Sequence, residues 1–273
     1  MSAPFRPALR WHGGKWLLAP WIISHFPKHQ VYVEPFGGAM SVLIRKPVSY
    51  AEIYNDLDKA VVNFFRVLRS ARAQDLIEAL RLTPFAREEF VEAYAESDDP
   101  VEQARRLVIR SFMGFGSNGH NRATGFRANS NRSGTTPAHD WANYPDALAA
   151  IIGRLRGVTI ENRDAIAVMQ QHDSDRTLHY VDPPYVLGTR DKGNDYRFEL
   201  SDADHRALAD SLNKLTGMVV LSGYRCDLYD DLYRDWRRAD RKAHADGARD
   251  RVESLWFKPG SYEPQAQIFG EAA

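Results

Sequence analysis

The fold of this chain is decided by the stretch VYVEPFGGA, residues 31–39. Its first four residues form an apolar run that predicts a buried strand, and the two glycines predict a turn into a helix over residues 38–45. A second strand at residues 51–54 and a helix at residues 58–69 repeat the pattern, and a helix over residues 15–26 precedes it. Alternation of strand and helix is typical of a parallel sheet with helices on its faces.

The same alternation returns near the end of the chain. Three further strands are predicted, at residues 158–161, 178–181 and 218–221. A helix is predicted at residues 202–215, and two apolar segments, around Trp236 and at residues 254–257, could close the sheet as an antiparallel pair. The sequence therefore predicts a doubly wound α/β sheet.

Residues 71–154 have a different pattern of apolar residues, which predicts several helices and no convincing strand. Residues 114–141 interrupt them with Gly, Asn, Ser, Thr and Arg, and a loop of this size is usually functional or disordered. We predict one sheet domain built from residues 1–70 and 155–273, with a helical insertion at residues 71–154.

Composition excludes few functions. Among 273 residues, Lys+Arg and Asp+Glu both number 36, so the net charge indicates no nucleic-acid partner. The charge is uneven, because residues 103–139 contain no acidic residue. A basic patch that contacts phosphates and a solvated helix face next to a basic loop are both compatible with the arginines of this stretch. These are Arg105, Arg106, Arg110, Arg122, Arg127 and Arg132.

Cysteine and histidine usage argues against a metal or disulfide protein. Cys226 is the one cysteine, and the nine histidines show no metal-ligand spacing. Residues 1–10 lack the apolar core of a signal peptide, so none is expected, and no apolar run approaches membrane length. It predicts a cytoplasmic protein without a metal, a membrane or an obligate protein partner.

The tetrapeptide Asp182-Pro183-Pro184-Tyr185 follows the strand predicted at residues 178–181. Two prolines remove two N–H donors and stiffen the loop, which leaves a carboxylate, free carbonyls and an aromatic ring. These groups suit a planar base with an exocyclic amine, which needs acceptors and a stacking surface. The alternative is an ordinary surface turn.

Three further motifs lie where predicted strands end or the first helix starts. Gly37-Gly38 lets a ligand approach the backbone, although it equally suits a structural turn. Either Asp56 or Asp58 could cap the next helix, and we assign Asp56 to ribose hydroxyls and Asp58 to the cap. Lys15 follows Gly13-Gly14 at the start of the first predicted helix, where the helix dipole disfavours a positive charge. This placement indicates an anionic partner for Lys15, and the alternative is a flexible turn with an exposed lysine.

Taken in order, these motifs resemble the Dam-like, alpha-class DNA adenine-N6 methyltransferases. The matching segments are WHGGK at residues 11–15, EPFGGAMSV at residues 34–42, NDLD at residues 55–58 and DPPY at residues 182–185. Weaker matches to family segments occur at residues 116–122, 220–223 and 252–259, so the resemblance covers about residues 10–260. The resemblance implies a Rossmann-like methyltransferase fold in which the helical insertion recognises the target.

The resemblance also implies site roles. S-adenosylmethionine would be the cofactor, and double-stranded DNA the substrate, with the target adenine flipped out of the helix. The implied cofactor contacts are Trp11, Lys15, Glu34, Phe36, Gly37, Gly38, Asp56, Asp164 and Asp182. The implied catalytic residues are Asp182, Pro183, Pro184 and Tyr185. Because Asn suits adenine edges and Arg suits guanine or phosphate, the candidate base or phosphate contacts of the loop are Asn118, His120, Arg122, Arg127, Asn129 and Arg132.

Other readings remain open at this point. The same loop could bind the N4 amine of cytosine in DNA for methylation. It could also belong to a methyltransferase that acts on RNA or on a protein amide. His120 and residues 124–136 depart from the pattern of GATC-methylating members, which leaves the target sequence open. Whether a restriction enzyme accompanies the protein, or it acts alone as in a phage, is open too.

Overall fold

The computed structural model describes residues 3–116, 123–129, 134–190, 196–244 and 250–261. These residues contain seven strands: β1 Val31–Glu34, β2 Ala51–Asn55, β3 Val158–Glu161, β4 Thr177–Val181, β5 Met218–Tyr224, β6 Arg237–His244 and β7 Asp250–Phe257. They form one sheet in the order β3-β2-β1-β4-β5-β7-β6. The first five strands are parallel, and β7 lies antiparallel between β5 and β6. The predicted α/β sheet is confirmed, including its antiparallel closing pair.

Helices cover both faces of this sheet. They are α1 Ala19–Ser24, α2 Ser41–Arg45, α3 Lys59–Leu68, α4 Ala73–Leu82, α5 Arg87–Glu92, α6 Pro100–Met113, α7 Pro137–Ala142, α8 Tyr144–Arg154, α9 Ala165–Gln171, α10 Asp202–Lys214 and α11 Asp227–Leu232. No helix among the described residues is long and apolar enough to cross a membrane.

Two predicted helices begin later than the sequence suggested. The helix expected from Lys15 starts at Ala19, where Pro20 occupies the first turn, a position that tolerates a missing N–H donor. The helix expected from Gly38 starts at Ser41, because Gly38 and Met40 have left-handed backbones with φ of 45° and 58°. The prediction of Asp58 as a cap is confirmed, since its carboxylate accepts from the Ala60 N–H.

The two faces of the sheet bury separate apolar clusters. On one face, α9, α10 and α11 pack against side chains such as Val33 and Val181. On the other, Tyr32 and Tyr180 face α1, α2 and α3. Alternate residues of each strand point to opposite faces, which explains why Tyr180 and Val181 fall in different clusters.

Helices α4 to α8 follow α3 and precede β3, and residues 71–154 show no strand in their described part. Their buried side chains, such as Leu107 and Phe112, belong to the same cluster as Tyr54 and Phe65 of the sheet region. The Tyr144 hydroxyl also donates to the Ala8 carbonyl at 2.6 Å. Helices α4 to α8 are therefore packed onto the sheet region by a continuous apolar core.

A buried ionic network adds a polar connection between α8 and the sheet. Glu52 of β2 is 3% exposed and accepts from Lys46 Nζ at 2.7 Å and from Arg154 Nη1 at 2.6 Å. Arg154 Nη2 also donates to the Leu43 carbonyl at 2.6 Å. Removing one member of such a network leaves the others charged and buried, which is strongly destabilising.

We expect Glu52→Ala to lower the free energy of unfolding by about 3–5 kcal/mol, because it leaves Lys46 and Arg154 without their shared carboxylate. Urea denaturation of both proteins measures this difference. Glu78→Ala is the matched control, since Glu78 pairs with Arg81 at the surface, and we expect a change within about 0.5 kcal/mol. A loss below about 1 kcal/mol for Glu52→Ala would contradict the structural role of the network.

Candidate active site

A cavity of about 310 Å³ opens at the carboxyl ends of β1, β2 and β4. This edge is where ligands bind in open α/β sheets, and the volume is within the usual range of about 300–1,000 Å³. The lining comes from separate parts of the chain: residues 11–15, Glu34, residues 36–39, Ser41, Val42, residues 56–58, Tyr180, Asp182, Pro184, residues 196–200 and Asp204. Most of the predicted cofactor contacts are therefore brought together.

The glycine turn after β1 forms the floor of this cavity and packs directly on β2. A Cβ atom at Gly37 would lie 2.2 Å from the Tyr54 ring, and one at Gly38 would lie 2.7 Å from Trp11 Nε1. The Tyr54 hydroxyl donates to the Gly38 carbonyl at 2.8 Å. Both glycines are thus required by close packing, and they leave backbone exposed at the cavity wall.

Asp56 fixes the same turn from the end of β2. Its two carboxylate oxygens accept from the backbone N–H groups of Gly38 and Asp58, each at 2.8 Å. Burial raises the pKa of Asp56 to about 6, although these hydrogen bonds oppose the rise. Each carboxylate oxygen can accept more than one hydrogen bond, and Asp56 lines the cavity, so it can still accept from a ligand hydroxyl.

Glu34 ends β1 and lies beneath the cavity at 3% exposure. Its Oε2 atom accepts from the Tyr32 hydroxyl at 2.7 Å and from the Leu43 N–H at 3.0 Å. Burial raises the pKa of Glu34 to about 8, and the nearby charge of Asp182 adds to the rise. The carboxyl group of the free protein is therefore mainly protonated at neutral pH.

Asp182 borders the cavity after β4 and is held from two sides. Lys15 Nζ lies 3.0 Å from its Oδ2 atom, and the Ser222 hydroxyl donates to its Oδ1 atom at 2.6 Å. Lys15 Nζ also donates to the Gly13 carbonyl at 2.7 Å. Burial lowers the pKa of Lys15, but the Asp182 and Glu253 carboxylates outweigh it and raise the pKa above its usual range. The anionic partner predicted for Lys15 is thus a carboxylate of the protein.

Tyr185 lies behind Asp182 and does not line the cavity. It is 6% exposed, and its hydroxyl donates to Glu253 Oε2 at 2.8 Å. Lys15 Nζ lies 4.8 Å from the centre of its ring, and the Tyr224 ring contacts it edge-on at 4.7 Å. Pro184 lines the cavity, whereas Pro183 does not.

Several site residues could not be assigned from sequence. Tyr196 and Phe198 line the cavity from the segment before α10, and Tyr196 contacts the His12 ring at 5.2 Å. Arg190 holds this segment through Glu199, to which it donates at 3.0 Å. Ser222 and Glu253 belong to segments that match the family only weakly, and the sequence predicts no role for either residue.

Comparison with known proteins decides the family. The model for D12 class N6 adenine-specific DNA methyltransferases matches residues 11–246. This chain belongs to that family. The DNA adenine methylase of Escherichia coli strain K12 is 24% identical over 279 residues, which cover 95% of this chain and 98% of that protein. The DNA adenine methylase of Vibrio cholerae serotype O1 strain ATCC 39541 is 27% identical over 276 residues, with coverage of 92% and 94%.

The chain is therefore an adenine-specific DNA methyltransferase, and its sheet is the Rossmann-like methyltransferase sheet that the resemblance implied. One predicted cofactor contact of this methyltransferase does not reach the cavity. Asp164 is exposed and caps α9, where its carboxylate accepts from the Ala167 N–H at 2.9 Å. Its location favours a structural role.

The predicted DNA contacts of the methyltransferase are only partly described. Asn118, His120, Arg122 and Arg132 lie outside the described residues. Asn129 is exposed, whereas the Arg127 side chain is 11% exposed and lies 3.8 Å from Asp140. The location of Arg127 favours a structural contact over a DNA contact.

The acid-free stretch does not produce a free basic surface within its described part. Arg105 and Arg106 both pair with Glu102, three and four residues earlier on α6. Arg105 also pairs with Glu89, and Arg110 donates to the Ala93 carbonyl. The expected basic patch is thus largely neutralised along α6, because helical spacing brings an acid from just outside the stretch onto the same face.

The raised pKa of Glu34 generates a pH prediction for the free enzyme. Between the ordinary carboxyl pKa of about 4.3 and the folded value of about 8, the folded protein holds one proton more than the unfolded chain. Stability should therefore fall as pH rises through this window, by up to about 1.4 kcal/mol per unit from this group. Glu34→Gln has no proton to lose at this position and should lack that decline.

Urea denaturation of the wild type and of Glu34→Gln from pH 5 to pH 9 measures the effect. Other titrating groups cancel in the difference between the two proteins, so the variant should gain relative stability as pH rises. A difference that stays constant over this range would show that the carboxyl group of Glu34 is already ionised.

Proposed function

We propose that this methyltransferase transfers a methyl group from S-adenosylmethionine to N6 of an adenine that is flipped out of a specific sequence of double-stranded DNA. The observation that carries the proposal is the position of Asp182. It follows β4 at the wall of the cavity, and the Lys15 and Ser222 contacts fix both of its oxygens. A carboxylate held in this way is preorganised to accept from an amine.

The residues of the cavity fit S-adenosylmethionine. This cofactor supplies a methyl group on a positively charged sulfonium sulfur. The cavity walls carry more acidic than basic side chains, with Asp56 and Asp182 among the acids, which suits a cation, and a cation beside Glu34 would favour ionisation of that carboxyl group. Asp56 would hold the ribose hydroxyls, and Trp11, Phe36 and the Gly37-Gly38 backbone would enclose the remainder.

The residues after β4 would prepare the adenine amine. The N6 lone pair of adenine is conjugated with the ring, so N6 is a weak nucleophile. Asp182 and the Pro183 carbonyl, which accept its two hydrogens, would favour a tetrahedral nitrogen and free that lone pair. Positioning of N6 then contributes more than a strong base. Tyr185, which is 6% exposed in the free protein, would have to become accessible on DNA binding to stack on the flipped base and offset the few kcal/mol lost from duplex stacking.

Target recognition would fall to the helical insertion, residues 71–154. The arginines on α6 are engaged within the protein, so the loop between α6 and α7 is the stronger source of contacts with bases and phosphates. Asn129 is exposed in this loop and could read an adenine edge. Asn118, His120, Arg122 and Arg132 of the same loop remain proposed contacts. The family match disfavours cytosine N4 and RNA as targets.

The central test is methylation of mixed-sequence duplex DNA with labelled S-adenosylmethionine, followed by nucleoside analysis and mapping of the modified positions. We expect N6-methyladenine at one short sequence. Asp182→Ala should lower kcat roughly 10²–10³-fold, because an oriented acceptor in the transition state is lost. Label on cytosine, or activity on RNA alone, would refute the proposal.

Cofactor affinity of Asp182→Ala, together with its thermal unfolding, distinguishes a catalytic loss from misfolding. Asp240→Asn is the matched control for this variant, since Asp240 is a hydrogen-bonded carboxylate on β6 that does not line the cavity. Activity of Asp182→Ala within tenfold of the wild type would remove this carboxylate from the mechanism.

Asp56 provides a separate test of the cofactor site. We expect Asp56→Ala to weaken S-adenosylmethionine binding by roughly 1.5–3 kcal/mol, because a charge-assisted acceptor for the ribose is lost. Calorimetry on the free enzyme measures this change. Asp164→Ala is the control: it removes a helix cap and should cost about 1 kcal/mol of stability without changing cofactor affinity. Unchanged affinity in Asp56→Ala would leave Asp56 with the structural role of fixing the Gly38 turn.

A further inference from the structure

Glu253 is a carboxylate at the edge of the active site that the reaction as described above does not use. It lies on β7, opposite Tyr224 of β5, and is 7% exposed. Burying an ionised carboxylate costs free energy unless hydrogen bonds and opposite charges compensate for lost water. An ionised carboxylate buried at this position therefore needs partners that compensate for the lost water.

The Tyr185 hydroxyl is one such partner. It donates to Glu253 Oε2 at 2.8 Å, although the two residues are 68 positions apart in sequence. The Tyr224 ring meets the Tyr185 ring edge-on, at 4.7 Å and an angle of 75°. The hydroxyl end and one side of the ring are thus both fixed, which restricts rotation of its plane.

Glu253 also acts on Lys15 through its charge. Lys15 Nζ lies 3.0 Å from Asp182 Oδ2 and 4.8 Å from the Tyr185 ring centre, so the ammonium group contacts both the carboxylate and the aromatic ring. The negative charges of Asp182 and Glu253 both favour the protonated form of this buried lysine. Glu253 thereby acts on both side chains of the loop after β4. It accepts a hydrogen bond from Tyr185, and its charge favours the protonated form of the lysine that pairs with Asp182.

We propose that Glu253 is a positioning residue, which fixes the plane of Tyr185 so that the ring has one orientation when it becomes accessible to the extruded adenine. The proposal rests on the function proposed above. A phenylalanine at position 185 and an apolar residue at position 253 would fill the same space without a buried charge. A ring held rigidly loses less conformational entropy when the base arrives, and this is the benefit that a buried carboxylate can supply.

Two variants separate the hydrogen bond from the charge of Glu253. Glu253→Ala removes the acceptor, whereas Glu253→Gln keeps an amide oxygen that can accept from the Tyr185 hydroxyl. Asp240→Asn on the neighbouring strand is again the matched control, because Asp240 accepts from Ser254 Oγ at 2.8 Å away from the cavity. Cofactor affinity and thermal unfolding are measured for every variant.

The decisive readout compares two substrates that carry the mapped target sequence. In one the target adenine is paired with thymine, and in the other it is mismatched and already poorly stacked, so less energy is needed for flipping. Glu253→Ala should lower kcat/KM about tenfold on the paired duplex, with most of that loss recovered on the mismatched duplex. Glu253→Gln should stay within about threefold, and cofactor affinity should be unchanged in both.

A double-mutant cycle tests whether Glu253 acts through Tyr185. Tyr185→Phe keeps the ring and removes the hydroxyl, so it should match Glu253→Ala, and the double variant should be no worse than either. Three results would overturn the inference. They are additive losses of kcat/KM in the double variant, equal losses of kcat/KM on the paired and mismatched duplexes, and a kcat/KM of Glu253→Ala within twofold of the wild type. A wild type that does not methylate adenine would instead refute the proposed function.

Discussion

The active site depends on the ion pair between Lys15 and Asp182, which joins the beginning of the chain to the loop after β4. Both side chains are largely buried, at 6% and 16% exposure. Neither charge would be stable there alone, since desolvation of an isolated ion costs several kcal/mol. The pair also fixes the Gly13-Gly14 turn, because Lys15 Nζ donates to the Gly13 carbonyl at 2.7 Å. Two segments 167 residues apart thus form one wall of the cavity.

Electrostatic balance around this pair shapes the rest of the cavity. The carboxyl ends of β1, β2 and β4 each contribute an acid, namely Glu34, Asp56 and Asp182. Burial raises the pKa of Glu34 to about 8 and that of Asp56 to about 6, and a neighbouring carboxylate adds to each rise, Asp182 at Glu34 and Asp58 at Asp56. A cationic ligand would oppose this effect, because it favours the ionised forms of Glu34 and Asp56. Ligand charge and carboxyl protonation are therefore linked in this site.

Much of the fold and part of the site could be predicted from the sequence, for a simple physical reason. Parallel strands that are buried on both faces appear as apolar runs, and the residues after such strands meet at one edge of the sheet. That rule predicts Asp56 and Asp182 at the ligand-binding edge, whereas the role of Glu34 was implied by the family resemblance alone. It fails where partners are set by packing instead of by strand ends. Tyr185 with Glu253 and Arg154 with Glu52 are pairs of this kind, separated by 68 and 102 residues.

The insertion shows a different limit of sequence analysis. The stretch from residue 103 to residue 139 contains no acid, yet α6 begins before it and carries Glu102 on the face that Arg105 and Arg106 share. Charge counted along the chain is thus a poor measure of charge on a surface, because a helix sums charges at intervals of three and four residues. Arg127 adds to this effect through Asp140, just beyond the other end of the stretch. The surface charge of α6 therefore follows from these pairs, and it could not be inferred from the absence of acids between residues 103 and 139.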